Sequence, residues 1–181
     1  MVKRGLVLGS ANCLQKDIDA VLKMANFEVV VAAKGAGLVW PFELNGWVSL
    51  HPDRMQKDRD ERDRNGYPVA DVHFGHQRKE NCEGIDVWYD YKFEGQLRSG
   101  SSGLFAVKVA LEYFHCDQVV MCGIPLLRDE GRIDGKETWN GASSFHKGFE
   151  EAMPAFKDRV RSMGGWTALR VGLPTTTWLK I

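Results

Sequence analysis

Three short stretches of this chain are apolar at nearly every position and stop abruptly at small residues: GLVLG at 5–9, FEVVVAAKGAG at 27–37 and DQVVMCGIP at 117–125. A strand that alternates apolar and polar residues can leave one face in water. A strand without alternation needs cover on both faces, which is the environment of a parallel sheet packed between helices. Between the first two runs lies SANCLQKDIDAVLKM, where Leu14, Ile18, Val21 and Leu22 recur at helical spacing and Asp17 and Asp19 sit near the start. Strand, turn, helix and strand in that order make a βαβ unit. GWVSLHPDR (46–54) reads as a third strand broken at His51-Pro52. In the segment from Gly100 to Cys116, Leu104, Val107, Leu111 and Phe114 share one helical face, which Phe105 and Val109 widen. The expected fold is α/β: a Rossmann-like three-layer sandwich with a mainly parallel sheet, formed by a single domain over residues 1–181.

The remaining segments are less regular. DRMQKDRDERDR (53–64) holds five acids and five bases and reads as a solvated helix with internal ion pairs. It opens an irregular excursion over about 53–99, with ADVHF and IDVWYDYKF as short strands. The polar, glycine-bearing stretch at 126–145 is long for a connection and is assigned as a lid loop. SFHKGFEEAMPAFKDRVRSMGG reads as a helix kinked at Pro154 and closed by Gly164-Gly165, and WTALRVGLP as a last strand. On that helix Lys157, Arg159 and Arg161 would face water.

Charge and cysteine usage narrow the function classes. Lys+Arg and Asp+Glu number 24 each, so no global field draws the chain to nucleic acid or anionic membranes. No sequence-specific nucleic-acid partner is expected. No apolar stretch has the length of a membrane span, and the N-terminal run is too short for a secretory signal. Cys13, Cys82, Cys116 and Cys122 form no CxxC pair and no disulfide framework, which points to reduced thiols and a cytoplasmic setting. Val39, Trp40, Phe42 and Trp47 provide apolar surface for a homo-oligomer interface.

In open α/β sheets, ligands lie past the carboxyl ends of strands, beside helix starts. Three sequence segments reach such positions: Gly9-Ser10-Ala11-Asn12, His51 with Asp53, and Gly100-Ser101-Ser102-Gly103. Glycine admits close backbone approach, and the first amides of a helix are free to meet an anion. The first turn is not the GxGxxG fingerprint, and Lys34, not an acid, stands near the end of the second strand, which argues against an ordinary NAD site. Nor is there a P-loop. Each turn has two readings: a plain bend with an Asn or Ser cap, or half of a phosphate cradle. Two such turns in one small domain favour the second, with Lys34 offsetting the charge of a leaving phosphate, a scheme that calls for no metal. His51, at a strand end, and His146, at the start of the last helix, are candidate general bases because imidazole titrates near neutral pH. His73, His76 and Cys82 match no familiar zinc spacing. Trp88, Tyr89 and Trp139 have rings able to stack on a base or sugar.

These turns carry a family resemblance. The opening VLGSAN, followed by a helix and a second strand, resembles the start of Rossmann-like bacterial sialyltransferases and related motility-associated glycosyltransferases. SSGLFAVKVALEYFHCDQVVMCGIP resembles their later segment of Ser-Gly turn, helix, strand and Gly-[IV]-Asp. The resemblance implies that Gly9, Ser10 and Asn12 face a nucleotide phosphate and that Ser101, Ser102 and Gly103 contact the nucleotide of a CMP-sugar donor. It also implies that His146, downstream of the last of these strands, is the general base. The sequence departs from the family at Pro125, where an aspartate is expected, and at Lys34-Gly35, where an asparagine is expected. The chain as a whole resembles small proteins encoded by bacteriophages and prophages.

The reading that follows is a nucleotide-sugar-dependent glycosyltransferase-like protein, its ligand a nucleotide or nucleotide-sugar. A non-catalytic nucleotide-binding or sequestering module, a hydrolase of a nucleotide or glycosidic bond, and a structural protein that inherited the fold stay open beside it.

Overall fold

A computed structural model of the chain describes residues 2–78, 82–128, 130–133, 135 and 141–180. Seven strands form one sheet: β1 (Arg4–Leu8), β2 (Val29–Ala33), β3 (Gly46–Ser49), β4 (Val72–Gly75), β5 (Val87–Trp88), β6 (Gln118–Cys122) and β7 (Val160–Ser162). Their order is β5-β4-β3-β2-β1-β6-β7, and every neighbouring pair is parallel. The expected α/β sandwich is present, and its sheet is wholly parallel. The two short strands read in ADVHF and IDVWYDYKF are β4 and β5.

The lack of alternation in the strands has its predicted cause. Within β1, Val7 enters one core while Leu6 and Leu8 enter the other; within β6, Val119 and Met121 oppose Val120 and Cys122 in the same way. Helices α1 (Leu14–Val21), α2 (Ala36–Val39) and α3 (Met55–Arg64) supply Leu14, Ile18, Val21, Ala36 and Met55 to the second core. Leu22, expected on the buried face of α1, is 48% exposed because the helix has ended. The first core is built around α4 (Ser102–Lys108), every residue of which is buried. It continues as a wider turn through Tyr113. Phe149 of α5 (His146–Ala152) and Phe156 complete that layer.

Two expectations near the C-terminus are corrected. The basic segment VRS is strand β7, with Val160 and Ser162 buried and Arg161 between them half-buried. WTALRVGLP, expected as the last strand, has its first six residues in helix α6 (Gly165–Val171). Pro154 stops α5 early, so the chain turns and pairs with β6, and Gly164-Gly165 open a helix where they were expected to close one. Arg159 is exposed as expected, but it precedes a strand and is not on a helix, and its guanidinium donates to the carbonyl of Cys116 at 2.5 Å.

The charged helix α3 is also less solvated than its composition suggests. Arg62 is 1% exposed. Trp47, expected at an interface, is fully buried and donates through Nε1 to the Lys34 carbonyl at 2.8 Å. Among the described residues, no helix is long and apolar enough to cross a membrane.

Below Trp47, on the α3 side, His73 is almost fully buried. Its Nδ1 and its backbone amide both donate to Asp86 Oδ2, at 2.7 and 2.8 Å. Burial lowers the His73 pKa despite that partner. Burial raises that of Asp86, but the hydrogen bonds from His73 and the charges of His73 and Arg59 outweigh it and leave the carboxyl below its ordinary value. An unfolded chain protonates this histidine near pH ~6.5, whereas the folded protein resists protonation to lower pH. Stability is therefore full above about pH 6.5 and falls as the pH drops below it, with Asp86 adding a loss in the same direction further into acid. Urea midpoints at pH 7.5 and 5.5 should separate in the wild type, and the gap should narrow in His73→Gln. An equal gap in both would show that this histidine is not the titrating group.

Candidate functional site

The strand order reverses at β1, which has β2 on one side and β6 on the other. Chain leaving β1 and chain leaving β6 diverge there and open a crevice above the sheet. Gly9 is needed where the two exits meet: a Cβ on it would lie 2.3 Å from the Gly123 carbonyl oxygen. A cavity of about 440 Å³ opens over this point, within the range of small-molecule sites.

Both turns singled out in the sequence reach this cavity. Gly9, Ser10, Lys34, His51, Ser101, Ser102 and Gly103 all line it. Asn12 and His146 are not among its lining residues. Asn12 is exposed, its amide donating to the Gly131 carbonyl at 2.9 Å. His146 Nε2 donates to the Leu126 carbonyl at 2.8 Å, and its ring stacks on Trp166 at 3.8 Å.

The hydroxyls divide into structural and open ones. Ser10 Oγ donates to the Ala33 carbonyl (3.1 Å) and accepts from the Ala36 amide (3.2 Å), tying the exit of β1 to that of β2. Ser101 is the N-cap of α4, accepting from the Leu104 amide at 3.2 Å. Both serines therefore act as the plain-bend reading required, while their backbones shape the wall. Ser102 Oγ takes no hydrogen bond among the described residues. The amide of Ser10 and the first two amides of α4, on Ser102 and Gly103, likewise meet no acceptor there.

Lys34 supplies the cation. Its backbone is left-handed, with φ of 48°, a conformation that costs a side-chain-bearing residue about 1 kcal/mol or more. The turn is held from three directions: the Lys34 amide donates to Val48, while Gly37 and the Trp47 indole donate to the Lys34 carbonyl. Burial lowers the lysine pKa first, and the nearby charges of Arg132 and Arg54 lower it further, against the opposing pull of Asp58. Leu126, on the other side of the cavity, is also left-handed with φ of 48°. Two non-glycine residues in strained conformations thus line one cavity, where strain is most often kept for function.

The rest of the lining was not identified from the sequence. Arg132 and Glu130 come from the segment after β6. Its Gly131 carbonyl accepts from the Asn12 amide, and its Ile133 amide donates to Ser10 (2.9 Å). Within the described part of the proposed lid, 130–133 thus lies against the turn after β1. Leu50, Tyr91, Ile124 and Phe145 provide apolar surface. His76 lines the cavity with its ring edge-on to Tyr91 at 5.0 Å, whereas His73 lies on the opposite layer beside Trp47. Among the described residues, no group of three or more His, Cys, Asp or Glu side chains is placed to hold a metal. Trp88 and Tyr89 are half-buried at the sheet edge; Trp139 lies outside the described residues.

Chemically, the cavity offers cations and unclaimed N–H and O–H groups, with one carboxylate at Glu130, interleaved with aromatic and aliphatic surface. That combination suits an organic anion carrying a ring.

No protein-family model matches the chain, and no curated protein matches it in sequence. Among solved structures, it is similar to the sialyltransferase CST-II in complex with trisaccharide acceptor and CMP, with a TM-score of 0.61 and 12% identity, covering 96% of this chain and 87% of that one. The likeness extends over nearly the whole chain and concerns the fold: an α/β architecture shared with a glycosyltransferase.

Proposed function

We propose that the cavity binds the nucleotide of a nucleotide-sugar donor, a CMP-sugar being the first candidate, and that the protein transfers the sugar to an acceptor hydroxyl. The supporting observation is the convergence, at the crevice between β1 and β6, of the Ser10 turn, the Ser102 turn and Lys34 on one cavity. The donor phosphate would meet the amides of Ser10, Ser102 and Gly103, the Ser102 hydroxyl and the Lys34 ammonium. The nucleoside would lie against Tyr91 and the apolar wall. His51, exposed at the mouth, takes the proton from the acceptor hydroxyl as that oxygen bonds to the anomeric carbon. The bond from that carbon to the phosphate oxygen breaks, and the nucleotide leaves with the electron pair, its charge met by Lys34. In this reading Asn12 and His146 act from outside the cavity, on the chain segments that form it. The fold resemblance to a CMP-bound transferase favours this donor, and the four free thiols suit a cytoplasmic setting.

Calorimetry with CMP, UMP and UDP tests the reading. At least one is expected to bind below millimolar concentration; no heat from any of them at that level overturns it. Lys34→Met removes one charge-assisted hydrogen bond, worth about 1.5–3 kcal/mol. Nucleotide affinity should fall by roughly 10- to 100-fold, with a weaker salt dependence than the wild type. Unchanged affinity would place the phosphate elsewhere.

A further inference from the structure

The wall of the cavity opposite Lys34 is the exit of β6, residues Ile124, Pro125 and Leu126. Three successive carbonyls of this wall are held from behind. Thr167 Oγ1 donates to Ile124 at 2.6 Å, the Trp166 amide donates to Pro125 at 2.8 Å, and His146 Nε2 donates to Leu126 at 2.8 Å. The first two donors belong to the opening of α6, which can approach so closely because Gly165 lacks a side chain: a Cβ there would lie 2.4 Å from that of Pro125. The third donor is the only side chain of the three that reaches across from α5. Its ring is parallel to Trp166 at a centroid distance of 3.8 Å, and the Arg170 guanidinium lies 4.9 Å from the same indole.

The anchored residue is the strained one. Leu126 has φ of 48°, so its carbonyl orientation is not the one a leucine adopts unaided. An imidazole nitrogen fixed by stacking is well suited to hold such a peptide, because an N–H at Nε2 points at the carbonyl and the stack prevents the ring from turning away. Phe145, the residue before His146, lines the same cavity, so displacing the ring would disturb two wall residues at once.

We infer that His146 is a positioning residue: by pinning the Leu126 carbonyl it sets the shape of the nucleotide cavity, and it does not act as the proton acceptor. This rests on the reading of the cavity given above. It differs from the role of general base, for which the group must reach the acceptor hydroxyl.

The two roles predict opposite patterns in binding. His146→Phe keeps a ring against Trp166 and removes the donor. His146→Gln keeps an N–H at a similar reach and removes the imidazole. CMP affinity should fall about tenfold or more in His146→Phe and return to within about threefold of wild type in His146→Gln. Amide hydrogen exchange over residues 124–128 should accelerate in the first variant and not in the second. A CMP affinity within twofold of wild type in His146→Phe overturns the inference, as does a loss that glutamine fails to restore. If the wild type binds no nucleotide, the functional reading fails by itself, and exchange then decides: acceleration confined to the phenylalanine variant supports the pin, and unchanged exchange refutes it.

Discussion

Arg62→Ala is expected to destabilise the fold by about 4 kcal/mol, the largest loss among the substitutions considered. The guanidinium is 1% exposed and has no carboxylate partner in the described structure. It donates instead to four main-chain carbonyls: Gly37 at 2.5 Å, Trp40 at 2.6 Å, Phe42 at 2.7 Å and Pro68 at 2.6 Å. Those carbonyls belong to the short helix α2 (Gly37), to the loop after it (Trp40, Phe42) and to the segment leading into β4 (Pro68), none of which is paired in the sheet. Hydrogen bonds from a charged donor contribute about 1.5–3 kcal/mol each, and a buried acceptor left alone costs about 1–3 kcal/mol. Four together exceed the expected loss, but the charge itself is costly to bury and water can enter the space left by alanine, which lowers the net. Arg62→Lys should recover only part, since an ammonium cannot span four acceptors set in a fork. Urea denaturation gives the measurement. A loss under 1 kcal/mol for the alanine variant would mean that the loop carbonyls find other partners.

This arginine also marks where the sequence stops being informative. In DRMQKDRDERDR every residue but Met55 and Gln56 is charged, and nothing distinguishes Arg62 from Arg59 or Arg64. Only the position of α3 over the α2 loop selects it for burial. The strands β1, β2, β3 and β6 were legible for the opposite reason: two-sided burial requires apolar residues at successive positions. β7 escaped because three residues with an arginine in the middle carry no such signal, and an edge strand does not require one. The two turns of the site were legible as helix starts after or before buried runs, since capping and close approach restrict the residue types. Lys34 was legible as a basic residue where an acid is usual. Tyr91, His76, Arg132 and Leu126 were not, because loops bring them to the cavity and no local periodicity records where a loop ends up. His146 illustrates the limit of analogy: the resemblance identifies a histidine after the last strand of the motif, but its hydrogen bond to Leu126 depends on α5 and α6 packing against that strand's exit.

His51→Ala should lower the rate of sugar transfer from a CMP-sugar by about 10²- to 10⁴-fold, the ordinary contribution of a positioned general base. CMP affinity should stay within about threefold of wild type, because the proposed role has the imidazole meet the acceptor and not the nucleotide. The side chain follows β3, where the strand breaks at Pro52, and its amide donates to Ser49 Oγ at 3.0 Å. The backbone at the cavity mouth is thereby fixed while the residue itself stays exposed. Loss of turnover with retained binding separates the transferase, sequestering and hydrolase readings, and a structural protein shows no nucleotide binding at all. A sequestering module binds nucleotide but shows no transfer in the wild type, so the substitution changes nothing. A hydrolase releases CMP at a rate indifferent to added saccharide acceptor. A transferase releases CMP faster when acceptor is supplied, and only that acceleration disappears with His51. Chromatographic measurement of CMP release with and without acceptor, in the wild type and in His51→Ala, distinguishes them. Acceptor-dependent turnover that survives the substitution would move the proton acceptor to another group on the wall, with His76 the next imidazole in the cavity.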